Sequence, residues 1–187
     1  MSKRQAGNEL SDGDLLQLSE KGDENAFLIL YQRHQGSIFR FALHMSGRVD
    51  VAEEVVQEVF MALLSKLKLY ARDRGELQGY LIGIARNRVR RHLSERRLAE
   101  VEPSPESESN ALFEGFNKRE ELAALHDAIL KLPPDYREVV VLCDLEDMDY
   151  ADAARQIGCP VGTVRSRLHR AREILGAKLR KTHGCVI

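Results

Sequence analysis

Apolar residues in the first half of the chain recur at three- and four-residue steps, the spacing of one face of an α-helix. This pattern predicts a short amphipathic segment over 14–19, a helix over 24–45 that ends at Gly47, and a helix from about 50, for which Asp50 is a candidate N-cap. A loop over 71–78 then leads into a third long helix. The stripe of the second long helix comprises Val55, Val56, Val59, Phe60, Leu63, Leu64 and Leu67, and the third faces inward through Leu81, Ile84, Ala85, Val89 and Leu93.

Helical spacing continues in the second half, where prolines and glycines set the boundaries. Helices are predicted over 120–132, before Pro133 and Pro134, and over 136–145. A third runs over 150–157 and ends at Gly158, and Pro160 precedes a longer helix over 161–181. Because no strand pattern of any length competes with these helices, the predicted fold class is all-α.

A polar stretch divides these helices into two groups. Residues 102–110 are rich in Pro, Ser and Glu and cannot bury enough apolar surface to offset chain entropy. We therefore predict two small helical domains, over 14–97 and 119–182, joined by a flexible acidic linker over 98–118. Residues 1–13 are predicted to be a disordered tail, and residues 183–187 a carboxyl-terminal tail.

The last two predicted helices have the spacing of a helix-turn-helix, with Ala154 at a close crossing, Gly158 at the turn and Val164 on the buried side. Projection at about 100° per residue places Val164 with three other apolar residues on one face. The opposite face and its flanks suit base readout, because arginine binds guanine bidentately and hydroxyl groups are adaptable. The predicted DNA-contacting residues are Thr163, Arg165, Ser166, Arg167, His169 and Arg170. The alternative interpretation is that this basic face of the helix is exposed to solvent and does not contact DNA.

Charge is segregated along the chain, although 28 basic and 29 acidic residues leave a net charge of only -1. Residues 79–97 contain six arginines and one glutamate, and 161–187 contain seven basic residues and one glutamate. Residues 98–117 and 135–153 are acidic. The basic helix within 79–97 is compatible with phosphate tracking or with a solvated surface. We hypothesise that in the free protein the acidic blocks lie against the basic helices and weaken DNA binding.

Several classes of function are excluded by what the sequence lacks. No run of about 18 apolar residues or secretory signal is present, so the expected compartment is the cytoplasm, without membrane insertion. The three cysteines have no zinc-ligand spacing; we interpret Cys143 and Cys159 as small buried residues and Cys185 as a tail thiol. No phosphate loop or catalytic motif occurs. We expect no enzymatic activity, cofactor, metal or small-molecule substrate.

Eight motifs in order resemble the extracytoplasmic-function group of bacterial RNA polymerase sigma factors, within the sigma-70 superfamily, over about 14–181. They are FLILY at 27–31, IFRFA at 38–42, AEEVVQEVF at 52–60, YLIGIARN at 80–87, LPP at 132–134, REVV at 137–140, YADAA at 150–154 and GCPVGTVRSRLHRAR at 158–172. The resemblance implies a region 2-like first domain, a region 4-like second domain, and a role in promoter recognition, DNA melting and transcription initiation.

The resemblance also implies partners and sites. Glu53, Glu54, Gln57 and Glu58 would bind core RNA polymerase, while Tyr80, Arg86, Asn87, Arg90 and Arg91 would contact the downstream promoter element as it opens. The helix-turn-helix would read the upstream element, and an anti-sigma factor is an expected partner. Two residues depart from the family pattern: Tyr80 stands where Trp is common, and Arg91 where Asp is frequent. The rivals are a stand-alone helix-turn-helix regulator with a sensory first domain and a helical hydrolase or nuclease.

Overall fold

The computed structural model describes residues 10–65, 67, 76–99 and 116–183, with side chains placed in 10–65, 67, 76–95 and 122–180. Every regular element in these ranges is helical, which confirms the predicted all-α class. The helices are α1 (Asp12–Glu20), α2 (Glu24–Ser46), α3 (Val49–Ser65), α4 (Leu77–Ala99), α5 (Phe116–Leu130), α6 (Pro134–Val140) with a π-helical extension (Val141–Leu145), α7 (Tyr150–Ile157) and α8 (Val161–His183). Most of the predicted linker, the loop at 71–75, residues 1–9 and Cys185 lie outside the described residues.

Helices α1 to α4 form the first domain around one apolar core. Local signals define its helix ends: the Asp23 carboxylate accepts hydrogen bonds from the backbone N–H groups of Asn25 and Ala26, at 2.9 and 3.2 Å. Gly47 ends α2 in the left-handed region, with φ of 73°. The core is built mainly from aliphatic residues, together with Phe41 and Phe60. Its fully buried members include Leu30, Ile38, Phe41, Val55, Val59, Leu63, Leu81 and Ile82.

Three details of the first domain correct the predictions. Asp50 lies in the first turn of α3 rather than at its N-cap, because the helix already begins at Val49; its carboxylate accepts hydrogen bonds from the Arg48 guanidinium at 2.9 and 2.5 Å. Leu64 is 46% exposed, since it lies at the margin of the apolar stripe. The predicted loop over 71–78 ends earlier, because Leu77 is buried against the core and begins α4.

Helices α5 to α8 form the second domain. Pro134 occupies the first turn of α6, where its missing N–H is tolerated. The predicted single helix over 136–145 is interrupted, because the chain widens into a π-helical turn from Val141 to Leu145. Cys143 and Cys159 are half-buried rather than buried, and desolvation together with Asp144 raises the pKa of the Cys143 thiol to about 11.

The two domains pack against each other in this structure. Helix α2 contacts α5, α6 and the π-helical turn, and α4 contacts α7. Gly47 lies at one of these contacts, where an added Cβ would be 3.0 Å from Leu130 Cδ1. None of the helices in the described part of the chain is both long and apolar enough to cross a membrane.

Candidate nucleic-acid interface

The α7–α8 pair has helix-turn-helix geometry. Asp149 caps α7 through the backbone N–H of Asp152 at 2.7 Å, and Gly158 ends the helix with φ of 80°. The Ala154 carbonyl accepts hydrogen bonds from the backbone N–H groups of Gly158 and Cys159, at 2.9 and 3.1 Å. This pair of bonds closes the turn before Pro160, so the start of α8 is fixed by local hydrogen bonds.

Burial fixes which face of α8 meets solvent. The predicted apolar positions Val164, Leu168, Ala171 and Leu175 are buried. Because they occupy one side of the helix, the opposite side is exposed at Ser166, His169 and Arg170, and Arg165 is exposed on the flank. Thr163 is half-buried, and its carbonyl accepts a hydrogen bond from the Ser166 hydroxyl at 3.0 Å. The exposed groups combine a hydroxyl, an imidazole and guanidinium groups at the start of one helix.

Three arginines of α8 are held by neighbours in the same domain. The Arg165 guanidinium lies over the Tyr150 ring, 5.9 Å from its centroid, within the range of a cation–π contact. Arg167 pairs with Asp135 at 2.7 Å. Arg172 donates two hydrogen bonds to Asp144, at 3.1 and 2.6 Å, and these bonds raise the pKa of its guanidinium. Asp135, Asp144 and Tyr150 were not predicted as site residues, although the acidic block at 135–153 contains all three.

The residues of α4 predicted to contact DNA are divided between solvent and the domain boundary. Asn87 and Arg90 are exposed, Arg91 is 43% exposed, and Tyr80 is half-buried against the apolar core. Arg86 is only 11% exposed and is held by the second domain. Its Nε lies 2.5 Å from Glu138 Oε1, and its Nη2 lies 3.4 Å from both Glu138 Oε2 and the Ile157 carbonyl.

The predicted polymerase-binding residues lie on α3. Glu53, Glu54 and Gln57 are exposed, whereas Glu58 is 23% exposed and contacts α4. Its carboxylate accepts a hydrogen bond from Arg91 and lies 3.6 Å from Arg88 Nε and 3.5 Å from His92 Nε2. Glu58 therefore links the two predicted sites of the first domain.

Glu54, Glu58 and His92 form the one group in the described residues whose side chains are close enough to hold a metal ion together. Two guanidinium groups already neutralise Glu58. We therefore interpret this group as an ion-pair network between α3 and α4.

Titratable groups also meet where α2 faces the second domain. His44 Nδ1 and His126 Nδ1 are 3.0 Å apart, so one neutral ring donates to the other. Burial, followed by His126 and Arg40, lowers the pKa of His44 to about 4; burial also lowers the pKa of His126, with Asp127 opposing. Glu146 pairs with Arg40 at 3.4 Å, and burial raises its pKa to about 7.

Arg137 ties the boundary to main-chain atoms by donating to the Met45 carbonyl at 2.8 Å and to the Leu132 carbonyl at 3.2 Å. Sequence reasoning did not identify His44, His126, Arg137 or Glu138 as boundary residues. Within the sequence, the acidic block at 135–153 was the one signal that pointed to such contacts.

Comparison with known families agrees with this arrangement. The family described as Sigma-70 region 2 matches residues 30–98, and the family described as Sigma-70, region 4 matches residues 122–175. Sigma-70 region 2 thus covers α3 and α4, which carry the predicted polymerase and downstream-promoter sites. Sigma-70 region 4 covers the chain from within α5 to the second half of α8, including the helix-turn-helix.

Similar proteins extend over nearly the whole chain. The chain is 30% identical over 181 residues to the RNA polymerase sigma-H factor of Pseudomonas aeruginosa, covering 90% of this chain and 93% of that protein. It is 32% identical to the ECF RNA polymerase sigma factor SigE of Mycolicibacterium smegmatis, covering 81% of this chain and 61% of that longer protein. The sigma factor RpoE of Bartonella quintana, solved in complex with the anti-sigma factor NepR, superposes with a TM-score of 0.69 at 27% identity, covering 86% of this chain and 98% of that one. The chain belongs to the extracytoplasmic-function sigma factors, the subunits that bind core RNA polymerase and direct it to promoters.

Proposed function

We propose that the exposed face of α8 reads the upstream promoter element in the major groove. The observation that carries this assignment is the burial of Val164, Leu168 and Ala171, which leaves Ser166 and Arg170 on the accessible side. A major groove about 12 Å wide admits one helix, and arginine can bind the O6 and N7 atoms of guanine. Arg165, Arg167, Thr163 and His169 are assigned to the same surface.

We further propose that α4 contacts the downstream element as its strands separate. Asn87, Arg90 and Arg91 provide exposed donors for phosphates and bases. Tyr80, which packs at the edge of the core, supplies the aromatic surface near an unpaired base. Capture of the unpaired strand stabilises the open promoter, because this state binds α4 more strongly than the duplex does.

The polymerase-binding surface is proposed to be the exposed side of α3, formed by Glu53, Glu54 and Gln57, with Glu58 at its edge. The two domains, 14–97 and 119–182, are joined by the linker at 98–118. Each domain then binds a separate promoter element, the first the downstream and the second the upstream element. In this proposal the protein acts in the cytoplasm and performs no chemistry of its own.

An anti-sigma factor is proposed as a further partner. The Bartonella quintana relative was solved with NepR, and that chain aligns with 86% of this one. Co-purification of the tagged chain from its own host tests this assignment, with a directly bound inhibitor of transcription as the expected result.

The function is tested by transcription in vitro with core RNA polymerase, this chain and a library of promoters randomised at both elements. We expect specific initiation from a subset that shares sequence at both elements. Initiation that is absent, or that shows no sequence selection, would contradict the proposal.

Two substitutions in α8 separate readout from phosphate binding. Arg170→Ala should weaken promoter binding by about 1–3 kcal/mol and relax preference at one upstream position, because a base contact is lost. Lys178→Ala should weaken binding on all sequences alike and make binding less dependent on salt. Binding titrations on selected and scrambled upstream elements at several salt concentrations measure both effects. If Arg170→Ala loses the same binding free energy on selected and scrambled elements, Arg170 does not read the sequence.

A further inference from the structure

One face of α4, here called the promoter-strand face, comprises Tyr80, Gly83, Arg86 and Asn87. Together with Asp152, Arg155 and Gln156 of α7, these residues line a groove between the two domains. Asn87 is exposed at the rim, whereas Arg86 is enclosed. The second domain therefore covers part of the surface assigned to promoter DNA.

The fit between α4 and α7 is close. The Gln156 side chain donates a hydrogen bond to the Gly79 carbonyl. A Cβ added at Gly83 would lie 2.8 Å from Gln156 Oε1 and 3.2 Å from its Nε2. The Gln156 side chain thus lies directly against the backbone of α4 at Gly83, and no nucleotide fits between the two helices at this point.

The charges are matched as well. Glu138 is 8% exposed and presents its carboxylate to Arg86, the same kind of group that a DNA phosphate would present. Nε and Nη2 of Arg86, the edge of the guanidinium that would bind a phosphate through two hydrogen bonds, are occupied by Glu138 and the Ile157 carbonyl. The Glu138 carboxylate and a promoter phosphate are therefore alternative ligands of Arg86.

We propose that the second domain is a built-in competitor of the promoter strand: it occupies the promoter-strand face of α4 and has to leave before this face binds an unpaired strand. This inference rests on the proposed role of α4. Its new content is that Glu138 and Gln156, neither of them assigned to DNA or polymerase, regulate access to that site.

The connection between the domains allows such a displacement. The chain between Ala99, where α4 ends, and Phe116, where α5 begins, would span about 60 Å if fully extended, so the second domain can move off α4 without losing its tether. While it is tethered, it competes intramolecularly at a high effective concentration. The apparent Kd of the strand for the free chain is then its intrinsic Kd divided by the fraction of molecules that is open.

The test measures binding of a fluorescent single strand to the full chain without polymerase. The probe is a pool of 12-nucleotide single strands of random sequence at low salt. Glu138→Gln removes the competing charge without altering α4, and Gln156→Ala removes the hydrogen bond to the Gly79 carbonyl from the side of α7. We expect both variants to bind the probe about tenfold more tightly than the wild type, because each shifts the population towards the open form.

Matched controls isolate opening from changes in charge or helix composition. Asp127→Asn removes one acidic charge from the exposed surface of the second domain, and Gln32→Ala removes a glutamine side chain from an exposed position of α2. Both controls should bind as the wild type does. The proposal is overturned if Glu138→Gln and Gln156→Ala bind no more tightly than the wild type, or if the controls gain as much as they do.

A second arm separates this proposal from the assignment of α4 to DNA. Arg86→Ala is assembled with core polymerase, and promoter opening is followed by permanganate footprinting on a promoter selected by the wild type. Opening should be slower than with the wild type, because the wild-type Arg86 binds the strand once the second domain has left α4, and the variant lacks this guanidinium. Unchanged opening would show that Arg86 does not contact promoter DNA. If only the binding experiment fails, the competition between the second domain and the strand is refuted, and the assignment of α4 to DNA stands.

Discussion

Glu146 is an acidic side chain enclosed at the boundary between the domains, where its side chain is 2% exposed. Burial raises its pKa from 4.5 to about 7, although the Arg40 guanidinium acts in the opposite direction. Since the folded-state pKa is the higher one, the protonated form favours folding. The stabilising contribution is full below about pH 4.5 and is lost as the pH rises through about 7.

We therefore predict that Glu146→Gln stabilises the protein at pH 8 by about 1–3 kcal/mol and has little effect at pH 4.5. Urea denaturation of wild type and variant at several pH values measures the difference. His44, whose lowered pKa gives the opposite slope below pH 6.5, cancels in this comparison. Glu53→Gln is a suitable control, because Glu53 is an exposed glutamate of α3 and is not among the groups that raise the pKa of Glu146. A gain for Glu146→Gln that does not vary with pH would refute the interpretation.

At the scale of helices, the turn between α7 and α8 depends on one backbone conformation. Gly158 has φ of 80° and ψ of 39°, and no heavy atom lies within 4 Å of a Cβ added there. Gly162 also has open space but is part of α8. An added Cβ therefore has free space at both Gly158 and Gly162, and the two positions differ in backbone conformation: left-handed at Gly158 and helical at Gly162.

Gly158→Ala should reduce the free energy of unfolding by about 1–2 kcal/mol, because an L-residue is strained in the left-handed region. Gly162→Ala should increase it by up to about 1 kcal/mol, because alanine favours the helix. Thermal and urea denaturation of the pair measure both. Substitutions with effects of the same sign would show that packing, rather than backbone conformation, dominates at this turn.

The helix ends and the buried face of α8 were predictable from the sequence, because nearby residues determine them. Gly47 and Gly158 end helices, and the three- and four-residue spacing of Val164, Leu168 and Ala171 sets the buried face of α8. Leu64 and the π-helical turn were predicted wrongly, since the width of a buried face and the path of a helix end depend on the neighbouring helices.

At the scale of the whole molecule, the acidic and basic blocks indicated attraction between segments but not which residues would meet. The pairing of Arg86 with Glu138 joins positions 52 residues apart, and that of His44 with His126 joins positions 82 apart. Charge acts over long distances and without directional preference, so several pairings satisfy the same sequence. The hypothesis that acidic residues lie against basic helices holds in the structure for Glu138 and Arg86; the linker glutamates lie outside the described residues.

Because the Arg86–Glu138 pair joins two domains, the domains can separate when one partner of the pair is removed. Removal of one partner from a buried ion pair costs about 3–5 kcal/mol when the remaining charge has no access to water. Here the domains can separate and return Arg86 to solvent. The loss of stability is therefore limited to the free energy that holds the domains together.

We predict that Glu138→Gln expands the protein, with a larger radius of gyration in small-angle scattering, while each domain keeps its helical content by circular dichroism. The double variant Arg86→Met with Glu138→Met should remain compact, because two apolar side chains of similar length can pack where the ion pair was. Its free energy of unfolding should lie within about 1 kcal/mol of the wild type, since replacement of a buried pair by apolar residues is often neutral. An expanded double variant would show that the ion pair itself, rather than the absence of an unpaired charge, keeps the domains together.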